Sequence, residues 1–232
     1  MGIRPSGHSK CFFLVLCALA WVVTDESKVF GSNEFWPAAG MVWDVNGPWM
    51  LQFKETYYHF FEESSSDHPK SDISFFYEGK NNIYDIGAGF NYVDGSQNTK
   101  QERRPYLYTI LRNKLLELDF ANRLMVEYRD ISESSDYWRI RYKLTYNSLF
   151  ESLDARGIRL LNRDKFRPYL ANEAFFNTNG QGYSENRVYV GSNIKIAKDI
   201  GVNAYYLLQT KKNSDRKWQN NNIIGIEFGV KF

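Results

Sequence analysis

The sequence predicts an all-β fold, an antiparallel transmembrane β-barrel, on three observations: an alternating last strand that stops on an aromatic residue, recurrence of that alternation, and a regular exchange of long and short connections. Strand side chains point to opposite faces in turn. From Ile223 onward, Ile224, Ile226, Phe228, Val230 and Phe232 therefore share one face, and Gly225, Glu227, Gly229 and Lys231 the other. An apolar outer stripe, a polar or small inner stripe and a terminal Phe suit the closing strand of an outer-membrane barrel.

The first element is an export signal over residues 1–23, cleaved between 20 and 24, leaving 24–232 as a single barrel domain. Arg4 and Lys10 provide a basic start, Cys11 to Val23 an apolar run, and Ala18-Leu19-Ala20 the small residues of a cleavage site. The run is shorter than the roughly 18 to 20 apolar residues of a spanning helix. Leu16 before Cys17 argues against lipid attachment. Both cysteines lie in this segment, so the mature chain lacks disulfides, zinc thiolates and cysteine nucleophiles. A net charge of +2 and the absence of like-charge runs exclude a nucleic-acid partner. A mean hydropathy of −0.50 is compatible with a barrel, whose strands keep only one face apolar.

The strands follow in order. Met41 to Val45 before Asn46-Gly47 reads as a strand entering a hairpin. Pro48 to Phe61 is less regular, because Glu55 and His59 share a face with Leu51, Phe53 and Tyr57, and a bulge accounts for the slip. Ile73, Phe75 and Tyr77 alternate with Asp72, Ser74 and Glu78; Ile86, Ala88 and Phe90 alternate with Asp85, Gly87 and Gly89. Inner glycines suit a narrow lumen. Tyr106 to Leu118 has partial helical spacing, but its neighbours favour a strand and turn. Leu124, Val126 and Tyr128 oppose Arg123, Glu127 and Arg129, and Trp138 to Asn147 alternates throughout. Val188 and Val190 oppose Glu185 and Arg187, and Val202, Ala204, Tyr206 and Leu208 oppose Asn203, Tyr205 and Gln209. Facing Arg139, Arg141 and Lys143 into lipid would cost about 2 to 4 kcal/mol each near the midplane. These cations belong inside.

Long links (Glu62 to Ser71, Asp94 to Arg103, Ser132 to Asp136, Asn177 to Tyr183, Lys211 to Gln219) alternate with short ones. Leu149 to Lys165 is the long exception on the short side, with room for a helical turn. Ten segments from Pro48 to Phe232 place both ends on the periplasmic side. The segment near Trp43, with a weak strand near Lys28 to Phe35, raises the count to twelve, the number preferred over ten.

Six segments stand out as a set: Trp36 or Trp43, Arg123 to Arg129, Trp138 to Tyr142, Pro168 to Asn177, Asn186 to Gly191, and Tyr205-Tyr206 with Gln209. Together they make the chain resemble the DUF2490 family of Gram-negative outer-membrane β-barrel proteins. The resemblance covers nearly all of the mature chain and implies a fold and a location, with no reaction. Glu55 and an aromatic stand where family members usually carry an Arg.

Arg123, Glu127, Arg129, Arg139, Arg141, Glu173 and Arg187 form the candidate lumen network. They pair on adjacent strands and brace the interior, or they line a small pore that grips an anion. Bracing is the preferred reading. His59, with Glu55 and either Ser71 or Ser74, offers the parts of a lipid esterase, but no nucleophile motif surrounds either serine. A soluble periplasmic binding barrel is a further alternative, opposed by Phe232, the loop pattern and the aromatics near strand ends at Tyr92, Trp138 and Tyr183. No cofactor is expected, and two mature-chain histidines argue against a His-based metal site. The expected partners are outer-membrane lipids, lipopolysaccharide and the barrel-assembly machinery, which would engage the strand ending at Phe232.

Overall fold

Period-two alternation, not propensity alone, decides which side of each strand is enclosed. The computed structural model describes residues 30–61, 67–95, 100–115, 118–147, 165–213 and 215–232. Eleven strands occupy these residues: β1 (Phe30–Asn46), β2 (Trp49–Phe60), β3 (His68–Glu78), β4 (Tyr84–Val93), β5 (Glu102–Leu115), β6 (Leu118–Ile131), β7 (Tyr137–Tyr146), β8 (Phe166–Asn177), β9 (Gly182–Lys195), β10 (Ile200–Lys212) and β11 (Trp218–Lys231). Each pairs with its sequence neighbour, and β1 closes the barrel against β11.

The closing pair is parallel, from Asn33↔Asn222 to Val42↔Lys231. This corrects the expected strand count. The ten segments from Pro48 onward are β2 to β11, but the described part of the first expected strand (from Phe30) and Met41 to Val45 are not two separate strands. Residues 30–46 are one 17-residue strand. Pro37 and Gly40 interrupt its sequence signal, since proline lacks an N–H for the ladder. The β1–β2 pairing passes from Phe35↔His59 to Ala38↔Thr56, omitting Trp36 and Pro37 without losing register. An odd count puts the two ends of the ladder on opposite rims, rather than both on one. The start of β1 lies with the long links (the loop rim), and Phe232 lies with the tight turns (the turn rim).

The faces follow the sequence pattern. Ile224, Ile226 and Phe228 are 54%, 44% and 43% exposed, whereas Glu127, Glu173 and Arg139 are 0%, 1% and 6% exposed. The expected bulge in β2 is absent: Trp49↔Tyr77 runs unbroken to Tyr58↔His68, so Glu55 and His59 occupy ordinary outward positions. The Tyr106 region is strand β5. The expected helical turn between Leu149 and Lys165 and the export signal lie outside the described residues.

Some inward side chains are apolar, which alternation did not predict. Trp36, Tyr169, Ala171, Tyr189, Leu207 and Ile223 pack as one cluster inside the barrel. Tyrosines fold over the inward glycines directly opposite them: Tyr106 over Gly89, Tyr108 over Gly87, Tyr169 over Gly191 and Tyr205 over Gly225. A Cβ on Gly191 would stand 2.7 Å from the Tyr169 ring, and one on Gly225 would collide with the Tyr205 ring. Gly225→Val is therefore expected to destabilise the barrel by about 1 to 3 kcal/mol in urea unfolding. Tyr205→Ala in the same chain should recover part of that loss by vacating the space.

Candidate functional site: the braced lumen

Five of the seven predicted charges meet in one network between β6, β7 and β8. Arg123 Nη2 donates to Glu173 Oε1 at 2.6 Å, and Arg141 Nη2 donates to the same oxygen at 2.9 Å. Arg141 Nη1 also reaches Glu127 Oε2 at 3.2 Å, and Arg139 pairs with Glu127. The Tyr189 hydroxyl donates to Glu173 Oε2 at 3.0 Å. These residues meet because they are inward cross-strand neighbours: Glu127↔Arg139, Arg123↔Lys143 and Lys143↔Glu173. Burial sharpens the arrangement, since an enclosed charge needs both a counter-charge and hydrogen bonds.

Arg187 joins through an aromatic wedge. The Phe175 ring, fully buried, carries the guanidiniums of Arg187, Arg141 and Arg139 at 4.7, 4.9 and 5.2 Å from its centroid. Like charges gather there because each also has a carboxylate and faces the ring's negative quadrupole. Arg187 Nε donates to Glu185 Oε1 at 2.5 Å. Arg129 is the predicted residue that falls elsewhere, in a second knot with Glu102, Arg104 and Tyr137 nearer the loop rim.

A hydrogen-bonded chain then stitches the parallel seam from inside. Gln209 donates to Glu185 at 2.5 Å, and Asn221 Nδ2 donates both to Gln209 Oε1 at 2.9 Å and to Glu34 Oε1 at 3.1 Å. Trp36 Nε1 donates to Glu34 Oε2 at 2.8 Å, and the Arg187 guanidinium lies 5.4 Å from the Trp36 ring. Closer to the turn rim, Lys54 of β2 reaches over β1 to Glu227 of β11 at 2.5 Å. Glu34, Glu102, Arg104 and Asn221 are members that sequence reasoning missed. Glu102 was read as loop, although its parity with Arg104 and Tyr106 was a usable signal. Glu34 and Asn221 were hidden because closure by a parallel seam was not foreseen.

The lumen is partitioned. Trp36, Tyr58 and Arg187 line both a cavity of about 470 Å³ toward the loop rim and one of about 310 Å³ in the middle. They stand between the two.

The esterase parts are separated. His59 Nδ1 lies 2.7 Å from Asp67 Oδ2 at the loop rim, outside the barrel. Hydrogen bonds from His59, then from the Phe60 N–H and the Tyr57 hydroxyl, hold the Asp67 carboxyl below the usual carboxylate range. Ser71 pairs with Glu55, four residues from His59, or about 13 Å along the strand. Ser74 faces the lumen and is buried. Among the described residues, no group of three His, Cys, Asp or Glu side chains could hold a metal.

Fold and site together define a closed β-barrel whose outer surface is largely apolar and whose interior is cross-braced by ion pairs. The chain matches, over residues 33–221, the family described as protein of unknown function (DUF2490), and it belongs to that family. No curated protein and no solved structure matches it.

Proposed function

We propose that the chain is an exported barrel of the Gram-negative outer membrane, with its charged interior acting mainly as an internal brace. The segregation of side chains carries this reading: an outward apolar surface around an enclosed Arg/Glu network. In water such a surface would be exposed without compensation. In a bilayer it is the stabilising face.

Outward polar groups support the same reading. They pair sideways, as the hydrocarbon core demands of any polar group: Tyr142 with Asn122, Asn122 with Asn113, Asn172 with Asn186, and Tyr206 with Asn222. Aromatics gather at both rims, as in interfacial girdles. Tyr183 contacts Phe176 and Trp218 at the loop rim, and Trp43 stacks on Phe232 at the turn rim. Phe232 also donates its N–H to Val42 at 2.8 Å, and its carbonyl accepts from the Asp44 N–H at 3.1 Å. We infer that the terminal strand is the segment read by the assembly machinery before it pairs, and that lipids and lipopolysaccharide surround the mature barrel. The distance between His59 and Ser71 supports a non-catalytic role.

Fractionation and planar-bilayer recording test the proposal. The protein should be recovered with the outer membrane, migrate heat-modifiably and conduct little. Trp36→Ala should raise conductance by removing part of the partition. A soluble periplasmic pool would reject the membrane reading, and large currents from the unaltered protein would reject the brace.

A further inference from the structure

We infer that the middle chamber is a binding site for a compact, multiply charged oxyanion of the phosphate type. Lys54, Lys70, Arg123, Arg141, Lys143 and Arg187 face this cavity, against only Asp72, Glu173 and Glu227. The excess is local. Glu227 is engaged by Lys54 at 2.5 Å, and Glu173 is shared by Arg123 and Arg141. Asp72 accepts from the Tyr106 hydroxyl at 2.9 Å.

That leaves cations without a carboxylate. Among the described residues, neither Lys70 nor Lys143 forms an ion pair; Lys143 lies over the Tyr189 ring at 4.0 Å. Arg123 and Lys143 are directly opposite on β6 and β7, and Glu173, opposite Lys143 on β8, is bridged to Arg123 but not to Lys143. The Arg123 Nε is buried in the same wall and has no acceptor among the described residues. Lys70 adds a charge from β3, four strands round the barrel from β7. Two ammonium groups and a spare guanidinium N–H match the charge and several acceptor oxygens of a phosphate. A cavity of about 310 Å³ admits inorganic phosphate or a small phosphorylated solute.

The neighbouring cavity is charged alike. Gln52, Lys54, Asn203 and Glu227 line both the chamber and a second cavity at the turn rim. That vestibule also carries Lys165, Arg167, Lys195, Lys198 and Lys231, with Asp199 as its other acid. Clefts of one sign concentrate counter-charged solutes. On the loop side, Trp36, Tyr58 and Arg187 stand between the chamber and the neighbouring cavity. This inference needs the barrel, and does not depend on whether the outer face meets lipid.

The test is titration calorimetry of the full folded chain in detergent, with inorganic phosphate at constant ionic strength and succinate as a dicarboxylate comparison. Phosphate should bind one per barrel and more tightly than succinate. Lys143→Met and Lys70→Met should each weaken binding about tenfold or more, the loss expected for one charge-assisted contact. Lys212→Met, on the loop side of the partition, should leave it unchanged. Heat-modifiable mobility certifies each variant as folded, and the Gln substitution at the same lysine replaces a Met variant that fails that check. Absence of saturable phosphate binding would overturn the inference, as would binding undiminished by both lysine substitutions or equally lost in Lys212→Met. Succinate binding as tight as phosphate would overturn the phosphate assignment.

Discussion

Glu173→Ala is expected to cost the barrel about 3 to 5 kcal/mol, because removing one partner of a buried ion cluster strands the others. Glu173 is 1% exposed and accepts from Arg123, Arg141 and the Tyr189 hydroxyl. Without it, Arg123 keeps no carboxylate and Arg141 keeps only Glu127. Urea unfolding of the detergent-folded protein reads the loss as a lower midpoint. Glu173→Gln separates charge from shape: it fills the same space, retains acceptor and donor atoms, and should still recover less than half of the loss. A double-mutant cycle with Arg141→Ala should give strong coupling, since the two residues share hydrogen bonds. An unchanged midpoint in Glu173→Ala would mean that the network is ornamental and that the aromatic and aliphatic contacts hold the wall alone.

Ile140→Arg is the second large expected effect, and it acts from the other face. Ile140 is 41% exposed and sits between the inward Arg139 and Arg141. On a soluble protein, an arginine at an exposed strand position changes stability within about 0.5 kcal/mol. Facing hydrocarbon near the midplane, it costs about 2 to 4 kcal/mol. Refolding into phospholipid vesicles should therefore show the full loss in Ile140→Arg, and refolding into short-chain detergent micelles a smaller one. Equal, near-neutral stability in both media would contradict a lipid-facing Ile140.

The two experiments address the two faces that the sequence made legible. Alternation in β7 and β11 needed no structure to read, because each strand carries one chemistry per face and a one-residue slip would bury every cation outward. The charge network was legible for the same reason: Glu127, Arg139, Arg141 and Glu173 share the enclosed parity on adjacent strands. Three features were not legible. The parallel seam depends on which strand the first one finds, a non-local choice that no residue of β1 announces. Its Pro37 also split one strand into two apparent ones. The inward apolar cluster around Leu207 and Ile223 breaks the polar-inside rule, since part of a lumen this narrow is filled by packed side chains. In β2 the opposite error arose. Glu55 and His59 looked like a slipped register because they share the outward stripe with apolar residues, yet the ladder there is continuous.

The most direct check is depth quenching at one outward position. The chain's cysteines are Cys11 and Cys17, so Ile226→Cys in protein expressed from residue 24 onward gives a single labelling site. A fluorophore there, in protein refolded with vesicles of acyl-brominated lipid, should be strongly quenched by the lipid and little by aqueous iodide. The same label at Arg216, in the link between β10 and β11, should show the reverse. Iodide reaching Ile226 freely while brominated lipid leaves it bright would contradict the membrane barrel.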